Sequence, residues 1–420
     1  MDINYGHILK KGVNSIVIQA ISITITLILN WYLAKKLGPS DYGVFTYAFS
    51  WVYLFGTISM LGLGSVIQRE IIRYVPEKIV ELIIFSRKTS LVISLIIVSV
   101  FSSIVYFFIP EIDNKLLKAL LLAILSLPIF SQLLINKAAC IGLKKVEHSL
   151  LPENIIRPFI FLITIIIVWE FFSPISINSA IITNLFSILI AFIVSYYLLS
   201  KFILKMNNLP TYENKKWMRL GFTFLLLTVT IAINSRADIL MLGFFGHTDK
   251  VGIYNIAVKF SAFIALPLLI ANRILVPYIS KYFETQKEKL SVMIKKIIRL
   301  VFALGSIGFL VFIFIGGELL SFFGKEFEIA YWSLILLSTG QLINIFVGPV
   351  GNVLTMSNYE KIALKSMVIS AILNILLNVI LIPIYDINGA AIATCTSLVF
   401  WNIAQFVLVK KKLNMNLSVV

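Results

Sequence analysis

The sequence predicts an all-α polytopic membrane protein, with twelve transmembrane helices in two parallel six-helix lobes and both termini in the cytoplasm. Three observations lead to this class: an apolar composition, an internal repeat at half the chain length, and a one-sided distribution of basic residues. Of the 420 residues, 59% are hydrophobic and 13% are charged, and the mean hydropathy is +0.96. A soluble core of this size does not need so much apolar surface.

The membrane helices are predicted from uninterrupted apolar runs. About 20 apolar residues cross a bilayer, and the chain contains twelve such runs, six in each half. They are 12–34, 43–64, 89–109, 117–137, 155–172, 177–199, 220–242, 251–278, 297–316, 329–354, 363–384 and 388–409. The first run follows Lys10-Lys11 but is too long for a signal peptide and lacks its cleavage site, so we interpret it as a retained span.

The internal repeat is carried by two loop motifs half a chain apart. Gly38-Pro-Ser-Asp41-Tyr-Gly43 corresponds to Gly246-His-Thr-Asp249-Lys-Val-Gly252 at an offset of 208 residues. A duplicated membrane fold indicates two lobes with a site between them. Because six spans per half is an even number, both halves insert in the same orientation, as parallel repeats do.

The lobe boundaries follow from the spans and from one polar segment. The segment 201–219 contains Asn-Asn-Leu-Pro and falls between spans six and seven, so it is the predicted cytoplasmic linker. We expect an N-terminal six-helix lobe over 1–200 and a C-terminal six-helix lobe over 220–420.

The net charge of +16 is explained by topology rather than by nucleic acid. When the 36 Lys and Arg residues are sorted onto alternate sides of the spans, 27 fall on the side of the termini, six on the other side, and three within spans. Cytoplasmic loops carry the excess of basic residues in membrane proteins. The sequence therefore predicts a multi-pass membrane protein with both termini in the cytoplasm and no nucleic-acid partner.

Three cations and one carboxylate lie within the predicted spans of the second half. They are Arg236, Asp238, Lys259 and Arg273. Such residues are costly in lipid and normally face a polar cavity or a partner. Asn255 and Lys259 share one helix face, and Arg273 returns to within about 40° of it. We expect Arg236, Asn255, Lys259 and Arg273 to line a cavity for an anionic head group.

Each of these assignments has an alternative. Arg236 and Arg273 can snorkel to the membrane interfaces, and Lys259 can form a structural ion pair with Asp238. Asp238 is the candidate for ion coupling, against a structural salt bridge.

Amides of the first half form a second candidate group for substrate binding. Asn14 and Gln19 are assigned to substrate; Asn30, Gln132 and Asn136 belong to the same set. They can contact sugar hydroxyls, and inter-helix hydrogen bonding explains them equally well.

No catalytic chemistry is visible in the sequence. There is no phosphate-binding Gly-x-x-x-x-Gly-Lys loop, and His7, His148 and His247 lie in different loops. Cys140 and Cys395 are single thiols that we interpret as small buried residues. We expect no catalytic residues, no metal and no cofactor.

Several motifs together resemble the polysaccharide-biosynthesis branch of the multidrug/oligosaccharidyl-lipid/polysaccharide (MOP) exporter superfamily, the Wzx-type flippases. In order they are Leu37-Gly38-Pro-Ser-Asp41-Tyr-Gly43, Leu61-Gly62-Leu63-Gly64, Ala237-Asp238-Ile-Leu-Met-Leu-Gly243, Val251-Gly252-Ile-Tyr254-Asn-Ile-Ala257, Val276-Pro277-Tyr-Ile-Ser280, Leu377-Asn378-Val-Ile-Leu381-Ile382-Pro383 and Asn388-Gly389-Ala390-Ala391-Ile-Ala393-Thr394. They cover essentially the whole chain.

The resemblance implies a fold like that of MATE and MOP flippases, and transport of undecaprenyl-diphosphate-linked oligosaccharide repeat units of O-antigen, capsule or exopolysaccharide. It implies a multi-pass protein of the bacterial cytoplasmic (inner) membrane. The implied transport is from the cytoplasmic to the outer leaflet by alternating access, coupled to H⁺ or Na⁺. A polymerase or ligase of the same pathway is a candidate partner, and we expect a monomer that is not an enzyme.

Three alternatives remain at this point. A drug/ion antiporter or a peptidoglycan-precursor flippase of the same superfamily shares the fold. A membrane-embedded glycosyl polymerase or ligase belongs to a different class, and a large outer loop would favour it. The longest predicted outer loop, 317–328, is only about a dozen residues.

Overall fold

The computed structural model describes residues 5–71, 74, 76–108, 113–172, 174–203, 214–283, 285–357, 359–415 and 417–418. Within these ranges it describes the side chains from residue 18 onward, except those of 76, 77, 108, 203 and 277. All regular secondary structure in these ranges is helical. Two compact units divide the chain, Met1–Ala232 and Ile233–Val420. The predicted lobes stay a prediction, and most of the predicted linker, 204–213, lies outside the described residues.

The first unit begins with one long helix and continues with shorter ones. Its helices are α1 (Tyr5–Ser59), α2 (Leu63–Glu70), α3 (Pro76–Phe108), α4 (Asn114–Ile124), α5 (Leu127–Gly142), α6 (Val146–Leu150), α7 (Arg157–Ile167), α8 (Ile177–Ile203) and the first part of α9 (Asn214–Phe244). Two π-helical turns, Leu151–Ile156 and Val168–Phe172, flank α7.

The second unit starts within α9 and ends in a second long helix. After α9 come α10 (Thr248–Tyr282), α11 (Lys287–Ser321), a 3₁₀ turn (Lys325–Ala330), α12 (Tyr331–Val347), α13 (Val350–Met356) and α14 (Glu360–Leu413).

The helix α14 is a hairpin folded near its middle. Asp386 has non-helical backbone angles (φ 58°, ψ −131°). The Ser370 hydroxyl donates to the Ser397 carbonyl oxygen at 2.8 Å, although a straight helix would separate residues 27 positions apart by about 40 Å. A Cβ at Gly389 would overlap the Leu381 carbonyl oxygen. The two halves of α14 therefore approach each other closely next to the bend at Asp386.

The helix α1 is broken in the same way at Gly38 (φ 73°, ψ 172°), which is followed by Pro39. The Tyr42 hydroxyl donates to Asn30 Oδ1 at 2.7 Å. Twelve residues of straight helix would separate them by about 18 Å. The two breaks fall where the sequence predicts the boundaries between spans one and two and between spans eleven and twelve.

The helices confirm the prediction of an all-α polytopic membrane protein. Among the described residues nine helices are long and apolar enough to cross a membrane, and ten if the bent pair α4–α5 is one span. Two of the nine are the hairpins α1 and α14, each able to cross twice. The count of twelve crossings and the sides of the termini stay predictions that these helices are able to satisfy.

The core of the first unit closes around the corner between α1 and α2. Gly62 has a left-handed backbone (φ 73°), and a Cβ there would overlap the Gly221 carbonyl oxygen. Trp217 of α9 is fully buried, and its indole N–H donates to the Tyr74 hydroxyl at 3.1 Å. The start of α9 is thus part of the first unit's core.

Candidate functional site

The carboxylate of Asp238 is buried inside the second unit. Its side chain lies on α9 and is 5% exposed. The Tyr254 hydroxyl of α10 donates to Oδ2 at 2.8 Å, and the Thr394 hydroxyl of α14 donates to the same oxygen at 3.4 Å. The Ile239 backbone N–H donates to Oδ1 at 2.8 Å. A buried carboxylate needs such donors, because burying a charge without partners is very costly.

A row of buried amides continues from Asp238 along α14. Asn374 Nδ2 donates to the Thr394 hydroxyl at 3.3 Å and to the Ser397 hydroxyl at 3.0 Å. Asn378 Nδ2 donates to Asn374 Oδ1 at 3.1 Å. The Asn378 side chain is fully buried, and its Oδ1 has no hydrogen-bond partner among the described residues.

The hydrogen-bonded chain that starts at Asp238 contains several side-chain oxygens that can bind a cation, on Thr394, Asn374 and Asn378. The oxygen of Asn378 accepts no hydrogen bond from the described residues. Hard cations prefer carboxylate, hydroxyl and carbonyl oxygens. A carboxylate held among hydroxyls can equally accept a proton. The arrangement therefore suits one small monovalent cation or one proton.

The ion pair between Lys259 and Asp238 was one alternative from the sequence. The structure places the Tyr254 hydroxyl on that carboxylate. Lys259 follows Tyr254 by five residues, about 140° around α10, and is half-buried. Arg236 is half-buried and interacts electrostatically with Asp238. Asn255, next to Tyr254, is 4% exposed.

Arg273 lies in a groove of about 540 Å³ within the second unit. Three amides share the groove with it: Asn272, Asn344 and Asn352. Its apolar lining is Ala265, Leu268, Leu269 and Val276. Asn272 Oδ1 is buried and has no hydrogen-bond partner in the described part of the chain. Arg273 itself is exposed, so one cation and three amides stand along an accessible apolar surface.

The first unit holds two arginines among its helices, Arg157 and Arg87, that were not among the charges predicted to lie within spans. Arg157 Nη1 donates to the Tyr53 hydroxyl at 2.7 Å, and Nη2 donates to Asn184 Oδ1 at 3.4 Å. Arg87 Nε and Nη2 donate to Asn136 Oδ1 at 3.0 and 2.5 Å. Charged side chains therefore lie among the helices of the first unit as well as of the second.

The amides of the first unit mainly join helices. Asn136 Nδ2 donates to the Ser195 hydroxyl at 2.9 Å, and Gln132 Nε2 donates to the Arg87 carbonyl oxygen at 3.0 Å. These contacts fit the inter-helix alternative. Gln19 is half-buried on α1, and the Asn14 side chain lies outside the described residues.

Solved structures with the same fold are membrane transporters. An inward-facing multidrug resistance MATE family transporter of the MOP superfamily matches with a TM-score of 0.76 at 14% identity, over 95% of this chain and 98% of that chain. The lipid II flippase MurJ in an inward closed conformation matches with a TM-score of 0.77 at 17% identity, over 94% and 87%. The fold therefore defines a multi-pass membrane protein of the MOP architecture.

The sequence narrows this class to one family. The family described as polysaccharide biosynthesis protein matches residues 8–283, which is more than half of the chain, and the chain belongs to this family. The family indicated by the sequence motifs is thereby confirmed.

Two curated relatives are from Haloferax volcanii. The probable flippase AglR is 32% identical over 171 residues, 40% of this chain and 36% of the relative. The probable low-salt glycan biosynthesis flippase Agl15 is 29% identical over 162 residues, 38% of this chain and 34% of the relative. The match thus spans about a third of the length of these relatives.

Proposed function

We propose that this chain is a flippase that moves a polyprenyl-linked oligosaccharide from the cytoplasmic to the outer leaflet of the cytoplasmic membrane. The finer form of the proposal is an undecaprenyl-diphosphate-linked repeat unit of O-antigen, capsule or exopolysaccharide, moved by alternating access. The names of the two relatives and the family support the coarser form. Both relatives are archaeal, so the lipid carrier is one of the points that the experiment decides.

The observation that carries the proposal is the groove around Arg273. A guanidinium binds phosphate oxygens with charge-assisted hydrogen bonds. Amides donate to and accept from sugar hydroxyls, and Asn272, Asn344 and Asn352 line the groove beside Arg273. The apolar lining of Leu268, Leu269 and Val276 can lie against an isoprenoid chain. One groove thus offers a partner for each chemical part of a lipid-linked glycan.

The transport experiment uses the full chain in proteoliposomes loaded with a lipid-linked oligosaccharide, and a membrane-impermeant lectin reports the outer-leaflet fraction. Wild type is expected to translocate the glycan, and Arg273→Gln is expected to slow it about tenfold or more. Arg299→Gln makes the same change at an exposed position of α11 and is expected to be neutral. No movement of the glycan by wild type under any ion gradient would overturn the proposal.

The same vesicles separate the alternatives. Expulsion of a cationic dye without glycan movement would indicate a drug/ion antiporter. Movement of lipid II alone would indicate a peptidoglycan-precursor flippase. Elongation of the glycan would indicate a polymerase or ligase. Comparison of undecaprenyl and dolichyl carriers identifies the lipid.

We further propose that Asp238 is the coupling site. The support is the buried carboxylate with two hydroxyl donors, one of which, the Thr394 hydroxyl, also accepts from Asn374. An Na⁺ or H⁺ gradient is expected to drive transport, and the gradient that does so names the ion. A polymerase or ligase partner and a monomeric state belong to the same proposal, and cross-linking in native membranes tests both.

A further inference from the structure

Arg157 occupies an unusual place in the first unit. It is the first residue of α7 and directly follows the π-helical turn Leu151–Ile156. A π turn inserts an extra residue into the helix and changes the direction of the side chains beyond it; such turns are frequent at functional sites. The guanidinium here reaches neighbours on α1, α5 and α8.

The surroundings of Arg157 are neutral. Its contacts are the Tyr53 hydroxyl and Asn184 Oδ1, and the guanidinium carbon lies 5.4 Å and 5.5 Å from the ring centroids of Tyr53 and Phe130. Phe130 is 1% exposed and Asn184 is 2% exposed. Arg157 itself is half-buried, so it remains accessible within this shell.

The positive charge of Arg157 has no carboxylate partner in the described ranges of the chain. Glu153, one helical turn earlier, is engaged by Lys137 at 2.6 Å. A guanidinium has five N–H donors, and the contacts of Arg157 use two of its nitrogens. The remaining N–H donors are therefore open to hydrogen bonds with an anion that reaches this half-buried side chain.

The repeat indicates that this shell is not a requirement of the fold. At the offset of 208 residues, Tyr53 and Phe130 correspond to Ser261 and Ser338, and Arg157 corresponds to Lys365. Lys365 is exposed. The second unit therefore has serines at the positions of the two rings and an exposed lysine at the position of the arginine.

We infer that Arg157, with Tyr53, Phe130 and Asn184, is a binding site for an anionic group of the transported substrate. The chemistry is that of an oxyanion: the carboxylate of an acidic sugar, or a phosphate of the lipid carrier. The guanidinium forms paired hydrogen bonds with either group. The rings of Tyr53 and Phe130 offer apolar faces, and Asn184 offers an amide for a neighbouring hydroxyl.

The inference rests on the proposed function for the identity of the substrate, but its test does not need transport. Two soluble probes, glucuronate and inorganic pyrophosphate, are titrated calorimetrically into the full chain in nanodiscs of zwitterionic lipid. Wild type is expected to bind at least one of them. Arg157→Gln is expected to weaken that binding about 10- to 100-fold. The affinity of Arg157→Lys is expected to lie between those of wild type and Arg157→Gln, because an ammonium group keeps the charge but cannot form the paired hydrogen bonds.

The controls separate binding from folding. Lys365→Gln removes the repeat-related cation and is expected to leave both affinities within about twofold. Tyr53→Phe keeps the ring and is expected to change affinity less than Arg157→Gln. A thermal melt of each variant shows whether the fold is intact. If Arg157→Gln does not fold, Arg157→Lys, which retains the charge, serves as the test variant instead.

Each outcome decides the inference. If Arg157→Gln loses only glucuronate binding, the natural ligand of the site is an acidic sugar. If it loses only pyrophosphate binding, the natural ligand is the phosphate of the lipid carrier. Binding of neither probe by wild type, or less than about a twofold change for both probes in Arg157→Gln and Arg157→Lys, overturns the site. The wild-type proteoliposome assay fails or succeeds independently, and it alone decides the proposed flippase function.

Discussion

Each of the two units holds a charged side chain whose hydrogen-bond partners are neutral, and the two charges are of opposite sign. In the first unit Arg157 is surrounded by a hydroxyl, an amide oxygen and two aromatic rings. In the second unit Asp238 receives hydrogen bonds from two hydroxyls and a backbone N–H. The two shells differ in the sign of the charge that they surround, so each is suited to an ion of the opposite charge.

The strongest challenge to this difference is removal of the negative charge. Asp238→Asn keeps the shape and the acceptor oxygen of the side chain but cannot bind a cation or proton in the same way. We expect gradient-driven transport to fall at least about tenfold, with insertion unchanged, in the proteoliposome assay. Glu318→Gln makes the same change at an exposed position and is the control. Unaltered gradient dependence in Asp238→Asn would remove this residue from coupling.

Substitution of one closely packed glycine in each unit tests whether the two units tolerate an added methyl group equally. A Cβ would overlap a carbonyl oxygen at Gly62 in the first unit and at Gly389 in the second. We expect Gly62→Ala to lower the free energy of unfolding by about 2–5 kcal/mol, from left-handed strain and overpacking. For Gly389→Ala we expect about 1–3 kcal/mol from overpacking. Thermal unfolding in detergent measures both.

The repeat supplies matched controls for these variants. Gly38 and Gly246 correspond at the offset of 208 and have φ of 73° and 85°. At both positions a Cβ would meet no atom within 4 Å. Alanine at either site is expected to cost only the backbone strain, about 1–2 kcal/mol. A different loss in the free energy of unfolding for Gly38→Ala and Gly246→Ala would show that the two loops are not equivalent.

Removal of one hydroxyl in each unit compares the two shells directly. Tyr254 is fully buried and donates to a carboxylate, so Tyr254→Phe is expected to cost about 1.5–3 kcal/mol. Tyr53 is half-buried and accepts from a guanidinium, so Tyr53→Phe is expected to cost about 1 kcal/mol. Denaturant or thermal unfolding gives both values, and the opposite order would contradict the assignment of Asp238 as the more enclosed charge.

The smallest effects are expected at the exposed ion pairs. Lys36 pairs with Glu170 at 3.1 Å in the first unit, and Lys250 pairs with Asp386 in the second. Both lysines are more than a third exposed. Lys36→Gln and Lys250→Gln are each expected to change the free energy of unfolding by less than about 1 kcal/mol. A larger loss at Lys250 would show that this pair helps to hold the fold of the α14 hairpin.

The sequence predicted the helical class, the repeat and Asp238 because these depend on composition and spacing. Asp238 was visible as a carboxylate within an apolar run. Its partners Tyr254 and Thr394 were not, because they lie 16 and 156 residues further along the chain and their approach depends on helix packing. Lys259 was the partner that charge alone indicated.

Arg87 and Arg157 were missed for a different reason. Both stand within two residues of a predicted span boundary, and counting basic residues by side assigns such positions to the cytoplasm. Their partners gave no local signal, because Tyr53 is 104 residues from Arg157 and Asn136 is 49 residues from Arg87. How deeply a helix begins inside the protein is set by its neighbours, and hydropathy does not report it.

The contact between Gly62 and Gly221 has a consequence for synthesis of the protein at the ribosome. A nascent chain grows by about 5–20 residues per second, so the corner at Gly62 waits roughly 10–30 s for its partner. During that interval the earlier helices of the first unit are already made, while the place of Trp217 is empty. The start of α9 is therefore the last part of this core to be synthesised, and a nascent chain released before it is complete is the form most exposed to membrane quality control.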